Sequence, residues 1–459
     1  MKNEYELSFK NAPKIVTELP GPKSRIVLQR QDKYETASRT YTNQFKIAVR
    51  QARGSTIEDM DGNIFIDWFS GICVINLGHN HPIVKKAMVD QIDSLVHINE
   101  IPSEVRINFL ETLNSTLPGK MKDRSKVLFT VTGADACEAA ISLARHVTKK
   151  KTIVAFGGAY HGVAGDIVGA TANYHYRDYA GLSSQNMYHL PYPYAYRFPL
   201  KVPEEDISKT VIDQLEYTIK DPYAGPGAIA GVLVEPIQGE GGYIVPPDDF
   251  LPMLREVTEK YSVPLIVDEI QTGVGRTGKI WASEYSSITP DIMCISKSIG
   301  GGIPTSMIVY NQEYDNNLPS GFHPGTYRGN PVALAAGTAI LKYLKSTDLL
   351  DRVKLNGEYI KKRFQEVADE VKNIGDVRGR GFMVAAELVK DKETKAPDPD
   401  MTVRVRDSMF RNGLLMHTCG HYANVLRHMA PLTIENELID KGVNIFSESI
   451  KKSEIMSKN

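Results

Sequence analysis

The chain has no long apolar run, almost no imbalance of charge and very few cysteines, and each shortage removes a class of function. No stretch of about 18 or more uncharged apolar residues occurs, so no segment reads as a membrane-crossing helix. Lys plus Arg number 54 against 55 for Asp plus Glu, a formal charge of −1. So even a balance provides no global field for nucleic acid or an anionic membrane. The four cysteines (Cys73, Cys137, Cys294, Cys419) are scattered, which leaves neither a CxxC metal pattern nor a disulfide framework. Three of them stand among apolar or small residues and read as reduced core thiols. The N-terminal stretch MKNEYELSFKNAPK carries acidic residues and no apolar centre, unlike a secretory leader. A reducing, cytoplasmic setting is the expectation. Repeats and low-complexity tracts are missing too.

What is present reads as an enzyme of ordinary composition. Of 459 residues, 42% are apolar and 24% charged. That length exceeds one simple core and favours a large domain with a smaller one. Asp61-Gly62, within GSTIEDMDGNIFID, signals a hairpin. Short, mainly apolar runs follow at Lys126–Thr130, Thr152–Phe156, Ile229–Val234, Leu265–Val267 and Ile292–Ile295. Their lack of clean alternation fits strands covered on both faces. Helical spacing separates several of them, as in Ala136-Ala140-Leu143-Ala144-Val147. The expected fold class is therefore α/β, a mostly parallel sheet with helices on both faces. After Pro331 the texture changes. Residues 334–371 read as one long helix, RGRGFMVAAEL as a loop into a strand, and Lys390–Met401 as an exposed loop. The expected division is an N-terminal segment 1–75 that joins the small domain, a large domain 76–334, and a small α+β domain 335–459.

Four segments carry chemistry. The apolar run Leu265-Ile-Val ends in Asp268, an acid at the carboxyl edge of the sheet, where ligands of open α/β folds bind. A buried carboxylate there needs a cation, and a protonated heterocyclic nitrogen is one. The plainer reading is a helix cap or an ion pair, since strand-end acids are common. A second apolar run ends in Ser296-Lys297 before Gly300-Gly301-Gly302. Lysine is rarely buried, and desolvation frees its amine for imine chemistry; the alternative is a surface lysine beside a turn. Third, Thr132 and Asp135 in VTGADACEAA form a capping pattern. Gly133 and Ala134 leave the helix-start N–H groups uncovered for a phosphate, although most capping boxes hold no ligand. Fourth, Tyr160 in AYHG stands at the sheet edge, where it stacks on a flat ring or simply packs.

In order and spacing, these segments resemble the class III (ω-amino acid) aminotransferases, members of the aspartate-aminotransferase-like fold that uses pyridoxal 5′-phosphate (PLP). The resemblance runs from about Gly54 to Pro431 through DGNIFIDWFSGICVINLGHNHP, VTGADACEAA, AYHG, VEPIQGEGG, LIVDEIQTGVGRTG, PDIMCISKSIGGGIP, GTYRGNP and NVLRHMAPL. It implies that Lys297 is the Schiff-base lysine and proton shuttle, and that Asp268 holds the pyridine nitrogen protonated. It further implies that Gln271 bonds the phenolic oxygen, Tyr160 stacks on the ring, and Gly133 and Ala134 hold the phosphate. Thr326 resembles a threonine that reaches the neighbouring subunit's phosphate, so a homodimer is implied. Arg427 resembles a clamp for a substrate carboxylate, gated by Glu240, and Ile72 a pocket-wall position. An isolated Glu–Arg pair is more often static. His79, His161, Arg276 and Arg328 fall in matching segments without an assigned place.

The resemblance leaves the donor open. Many relatives that act on 4-aminobutyrate or ornithine carry Arg where Val163 stands. TCGHYANVLR is similar to bacterial 4-aminobutyrate aminotransferases, whereas GTYRGNPVALAAGTAILKYLK is closer to 2,4-diaminobutyrate aminotransferases, both acting with 2-oxoglutarate. AFGGAYHG, VPPDDF and LPYPYAYR resemble amino-acid racemases of the same fold, which commonly lack TYRGNP. Transamination is the expectation and racemisation the alternative.

Overall fold

A computed structural model describes residues 7–181 and 186–456, so the very start of the N-terminal segment, MKNEYE, lies outside the described residues. The chain forms two compact units, one of Ile83–Leu350 and one of Met1–Pro82 with Asp351–Asn459.

The first strands belong to the second, smaller unit: β1 (Val49–Arg53), β2 (Thr56–Asp59) and β3 (Ile64–Trp68). The turn at Asp61-Gly62 joins β2 to β3 in an antiparallel hairpin, with Gly62 at φ 87°. The large unit holds β4 (Ser125–Thr130), β5 (Thr152–Phe156), β6 (Met187–Leu190), β7 (Ile229–Val234), β8 (Leu265–Asp268), β9 (Ile292–Ile295) and β10 (Ser306–Asn311). Their order is β4-β10-β9-β8-β7-β5-β6, and β10 alone runs against the rest of the sheet.

Both faces of this sheet are covered, as the apolar runs imply. Val154, Phe156, Val232, Val234, Leu265 and Val267 pack with the helices Ile207–Lys220 and Phe250–Lys260. Ile153, Ala155, Leu233, Ile266, Ile292 and Cys294 pack instead with the helix Gly133–Thr148. Successive residues of one strand thus feed two different cores, which is why no apolar–polar alternation is visible.

The small unit is completed by β11 (Ile374–Arg380), β12 (Met383–Leu388), β13 (Leu414–Cys419) and β14 (Val425–His428). Its sheet runs β1-β2-β3-β13-β14-β12-β11, with β3 and β13 parallel. The ring of Phe65 stacks on Phe410 of the helix Pro399–Arg411 at 5.7 Å, in a cluster with Phe45, Ile57 and Leu415.

Three local expectations are corrected. The long helix is two, Pro331–Ser346 and Leu349–Glu370, because Thr347 is extended and its hydroxyl caps Leu349 N–H at 3.4 Å. The first of these packs on the helix Glu104–Asn114 and on the turn Lys297–Gly300, so it counts with the large unit. The boundary therefore falls at Leu350, beyond the expected 334. RGRG is not a loop: Arg378-Gly379-Arg380 pairs along β12 as part of β11. The loop after Lys390 is also shorter than expected, since Asp398 caps Met401 N–H at 2.9 Å and opens the helix at Pro399.

Gly357 lies inside the helix Leu349–Glu370, where glycine is about 1 kcal/mol worse than alanine. A Cβ there would fall 2.2 Å from the backbone oxygen of Gly381, between β11 and β12. Close approach to that turn outweighs helix propensity. Gly357→Ala is expected to lower stability by about 1–3 kcal/mol despite the better helix former, as read by chemical denaturation.

Candidate active site

Asp268 closes β8 and is 4% exposed. Its Oδ1 accepts Ile270 N–H at 2.9 Å, and its Oδ2 accepts His161 Nδ1–H at 2.7 Å and the Cys137 thiol at 3.5 Å. His161 follows β5, and Cys137 lies in the helix after β4, so three connections converge on one carboxylate. Burial opposes a charge on His161. The hydrogen bonds to Asp268 and Cys137, with the Asp268 charge, overcome this and raise its pKa to about 10. Asp268 thus faces an imidazolium. The three donor atoms lie within 4.8 Å of one another, close enough to ligate an ion. The Cys294 hydrogen bond, burial and the Asp268 charge hold the Cys137 thiol well above its ordinary pKa, against the thiolate a metal needs.

The helix start is built as its capping pattern implies. Thr132 Oγ1 accepts Asp135 N–H at 3.2 Å, and Asp135 Oδ2 accepts Val131 N–H at 2.9 Å. The N–H groups of Gly133 and Ala134 occupy the first two helical positions, where no intrahelical acceptor exists. The negative charge of Asp135 is matched by His323 at 2.8 Å and Arg328 at 3.6 Å. Gly162, at φ 117°, lies against this start: a Cβ there would come 2.5 Å from that of Ala134.

Lys297 follows β9 after Ser296, is half-buried, and holds φ at 50° in the left-handed region. Strands β8 and β9 are paired with Asp268 opposite Cys294, so the lysine stands just beyond the end of the neighbouring strand. Gln271 is buried, and its Oε1 has no hydrogen-bond partner among the described residues. Tyr160 is half-buried, its ring edge-on to Tyr176 at 5.5 Å. Glu240 is half-buried in the turn after Gly239.

Thr326 is exposed, its carbonyl accepting Asn99 Nδ2–H at 3.4 Å. Arg427 and Ile72 belong to the small unit. Arg427 is fully buried on β14, opposite His417 of β13. Ile72 sits in a turn where Ser70, Gly71, Ile72 and Cys73 all have φ between 40° and 61°. Ser70 Oγ–H donates to Met429 O, two residues beyond Arg427, at 2.5 Å. Of the other residues in matching segments, His79 pairs with Asp67 at 2.9 Å and Arg276 is fully buried. Trp68, Tyr192 and Tyr194 are packed side chains.

Sequence reasoning singled out Asp268 and Lys297 but passed over the residues around them. In the sequence alone His161 has no assigned place, and Cys137 has no role beyond that of a scattered cysteine. Glu235 was missed as well, although VLVEP repeats the pattern of LIVDE, an apolar strand ending in an acid.

A buried carboxylate at a sheet edge, a half-buried lysine just beyond the next strand, uncovered helix-start N–H groups and an orphaned amide oxygen fit PLP. The fold is that of the type I PLP-transferases. The chain belongs to the class-III aminotransferase family, whose model matches residues 36–450, and is a PLP-dependent enzyme. It is 34% identical to a diaminobutyrate–2-oxoglutarate aminotransferase of Rhizobium meliloti, covering 90% of each chain. It is also 34% identical to an alanine/serine racemase of Pyrococcus horikoshii, covering 97% of this chain and 94% of that one. Among solved structures, an (S)-enantioselective omega-transaminase from Thermomicrobium roseum superposes with a TM-score of 0.85 at 26% identity. That match covers 94% of this chain and 98% of the other.

Gly162→Ala adds a side chain that both clashes with Ala134 and strains φ, at a combined cost of about 1–3 kcal/mol. Cofactor retention is expected to weaken about tenfold or more, read as PLP released on dialysis.

Proposed function

We propose that the enzyme moves an amino group from an ω-amino or diamino acid, 4-aminobutyrate-like in class, to 2-oxoglutarate, with Lys297 as its base. The observation that carries this reading is the buried Asp268–His161 pair on the strand beside the one leading to Lys297. When bound, PLP supplies a cationic ring that takes up the electron pair left by loss of a Cα proton. Asp268, its carboxylate fixed by three donors, would hold the proton on the ring nitrogen. With PLP bound, the Lys297 amine would take the Cα proton and return it at C4′, a transfer that needs the base within about 3 Å of the carbon it serves. Gly133 and Ala134 N–H groups would bind the phosphate, Gln271 would orient the phenolic oxygen, and Tyr160 would cover the ring face. Arg427 clamps a substrate carboxylate, Glu240 neutralises it when the donor presents none, and Ile72 shapes the wall.

A homodimer completes this reading. Val89, Ile92, Val96 and Ile101 are between 47% and 61% exposed, a concentration of apolar surface that favours a partner. The Asn99 hydrogen bond and the contact between His97 and Tyr327, 5.7 Å between rings, join this surface to Thr326. Thr326 then reaches the neighbouring site. Sedimentation as a monomer at micromolar concentration would refute this. Four buried cysteines, none of them in a disulfide among the described residues, support a cytoplasmic location. Among the described residues no helix is long and apolar enough to cross a membrane.

Racemisation is the second reading, favoured by the name of the Pyrococcus relative. It would return a proton to either face of Cα instead of to C4′, and its balance needs no 2-oxo acid. One panel separates the two: 4-aminobutyrate, ornithine, lysine, 2,4-diaminobutyrate and α-amino acids, each with and without 2-oxoglutarate. Glutamate formed from a terminal amine is expected. A D-enantiomer appearing from an L-amino acid alone would overturn the transaminase assignment. In the same panel Lys297→Ala is expected to lose turnover by at least about a thousandfold, and full activity of that variant would refute the base.

A further inference from the structure

Glu235 stands immediately after β7, at the same carboxyl edge as Asp268, and is 6% exposed. Its Oε1 accepts the backbone N–H of Tyr160 at 3.0 Å, and its Oε2 accepts that of Gly239 at 2.8 Å. One donor belongs to the segment after β5 that carries the ring-covering tyrosine. The other precedes Glu240. A second bond joins the same two segments, Gln238 Nε2–H to Gly157 O at 2.8 Å. The fit between them is tight, since a Cβ on Gly241 would lie 2.7 Å from Gly158 O. Gly239 in turn lies against Gln271, whose Oε1 would stand 2.3 Å from a Cβ there. Tyr192 O–H donates to the Glu235 carbonyl at 3.0 Å and fixes the backbone from which the side chain extends.

We infer that Glu235 is a positioning residue, a carboxylate tie that sets the segment covering the cofactor against the turn that carries Glu240. A carboxylate suits this place because it is acceptor-only and meets two N–H groups at once. A protonated acid, or an amide, turns a donor toward one of them. Burial raises the Glu235 pKa to about 7, with the His161 charge lowering it and Asp268 raising it again. The titratable groups that act on it are therefore His161 after β5, Asp268 at the end of β8, and Tyr192 after β6, which burial holds protonated. The tie is complete above about pH 7 and loses one bond as the pH falls below that value.

The inference rests on placing PLP beside Tyr160, and its test reads cofactor release instead of turnover. Holoenzyme, Glu235→Gln and Glu235→Asp are dialysed against PLP-free buffer on both sides of neutrality, following the bound-cofactor absorbance. Release from the native protein is expected to quicken as the pH falls through about 7. Glu235→Gln, with one N–H left facing a donor, should release PLP about tenfold faster at alkaline pH and lose that step. Glu235→Asp, one methylene shorter, should fall between them and keep a pH step; this variant and the native profile decide the matter if the glutamine form does not fold. Equal release rates with an unchanged pH step overturn the role. Borohydride trapping of PLP at Lys297 in the same samples separates the two failures. No trapping in the native protein removes the site itself, whereas trapping with unaltered release removes only the tie.

Discussion

A carboxylate buried at the end of a central strand is the constraint from which the rest of the large unit follows. Left unpaired in so dry a place, Asp268 would cost several kcal/mol. Its two oxygens are met instead by Ile270 N–H, His161 and Cys137. Those donors come from the chain after β8, after β5 and after β4, so charge satisfaction fixes the ends of three connections at one point. The raised pKa of His161, carried against burial by its bonds to Asp268 and Cys137, shows how strongly the carboxylate holds the ring. Ends of connections far apart in the sequence are thereby tied to this one residue.

The small unit is organised by strain. A left-handed residue with a side chain costs roughly 1–2 kcal/mol, and Ser70, Ile72 and Cys73 adopt that conformation together with Gly71. The turn survives because it is over-determined. Asp67 Oδ1 accepts both Phe69 N–H and Ser70 N–H, and Ser70 reaches Met429 O. Met429 N–H returns to Trp68 O at 3.1 Å. Strain held by this many bonds is typical of functional positions. It also locks the turn bearing Ile72 to the strand bearing Arg427.

How much of this the sequence discloses depends on the range of the interaction. β7, β8 and β9 are legible because both-face burial forces local runs of aliphatics, and Asp268 and Lys297 stand out as polar residues ending such runs. The capping pattern at Thr132 is equally local, and its geometry is as read. His161 and Cys137 are 107 and 131 residues from Asp268. No pattern of spacing reveals such contacts, and a histidine five residues beyond the end of a strand looks like any other. The break at Thr347 is not legible because a threonine is tolerated within a helix, and only its extended backbone and its bond to Leu349 N–H mark it as a boundary. RGRG resembles a loop by composition. It is drawn into β11 by pairing with β12, a tertiary demand that overrides the local preference.

His417, opposite Arg427 on the adjacent strand, shows how the small unit treats a buried imidazole: burial, then the charges of Arg427 and Arg406, depress its pKa to about 2. The ring is held neutral and meets Gln44 Oε1 through Nδ1 at 2.5 Å. His161 is as deeply buried, and burial opposes a charge on both rings. Their opposite outcomes come from their neighbours: a carboxylate bonded to His161 favours its cation, and guanidinium groups near His417 oppose one.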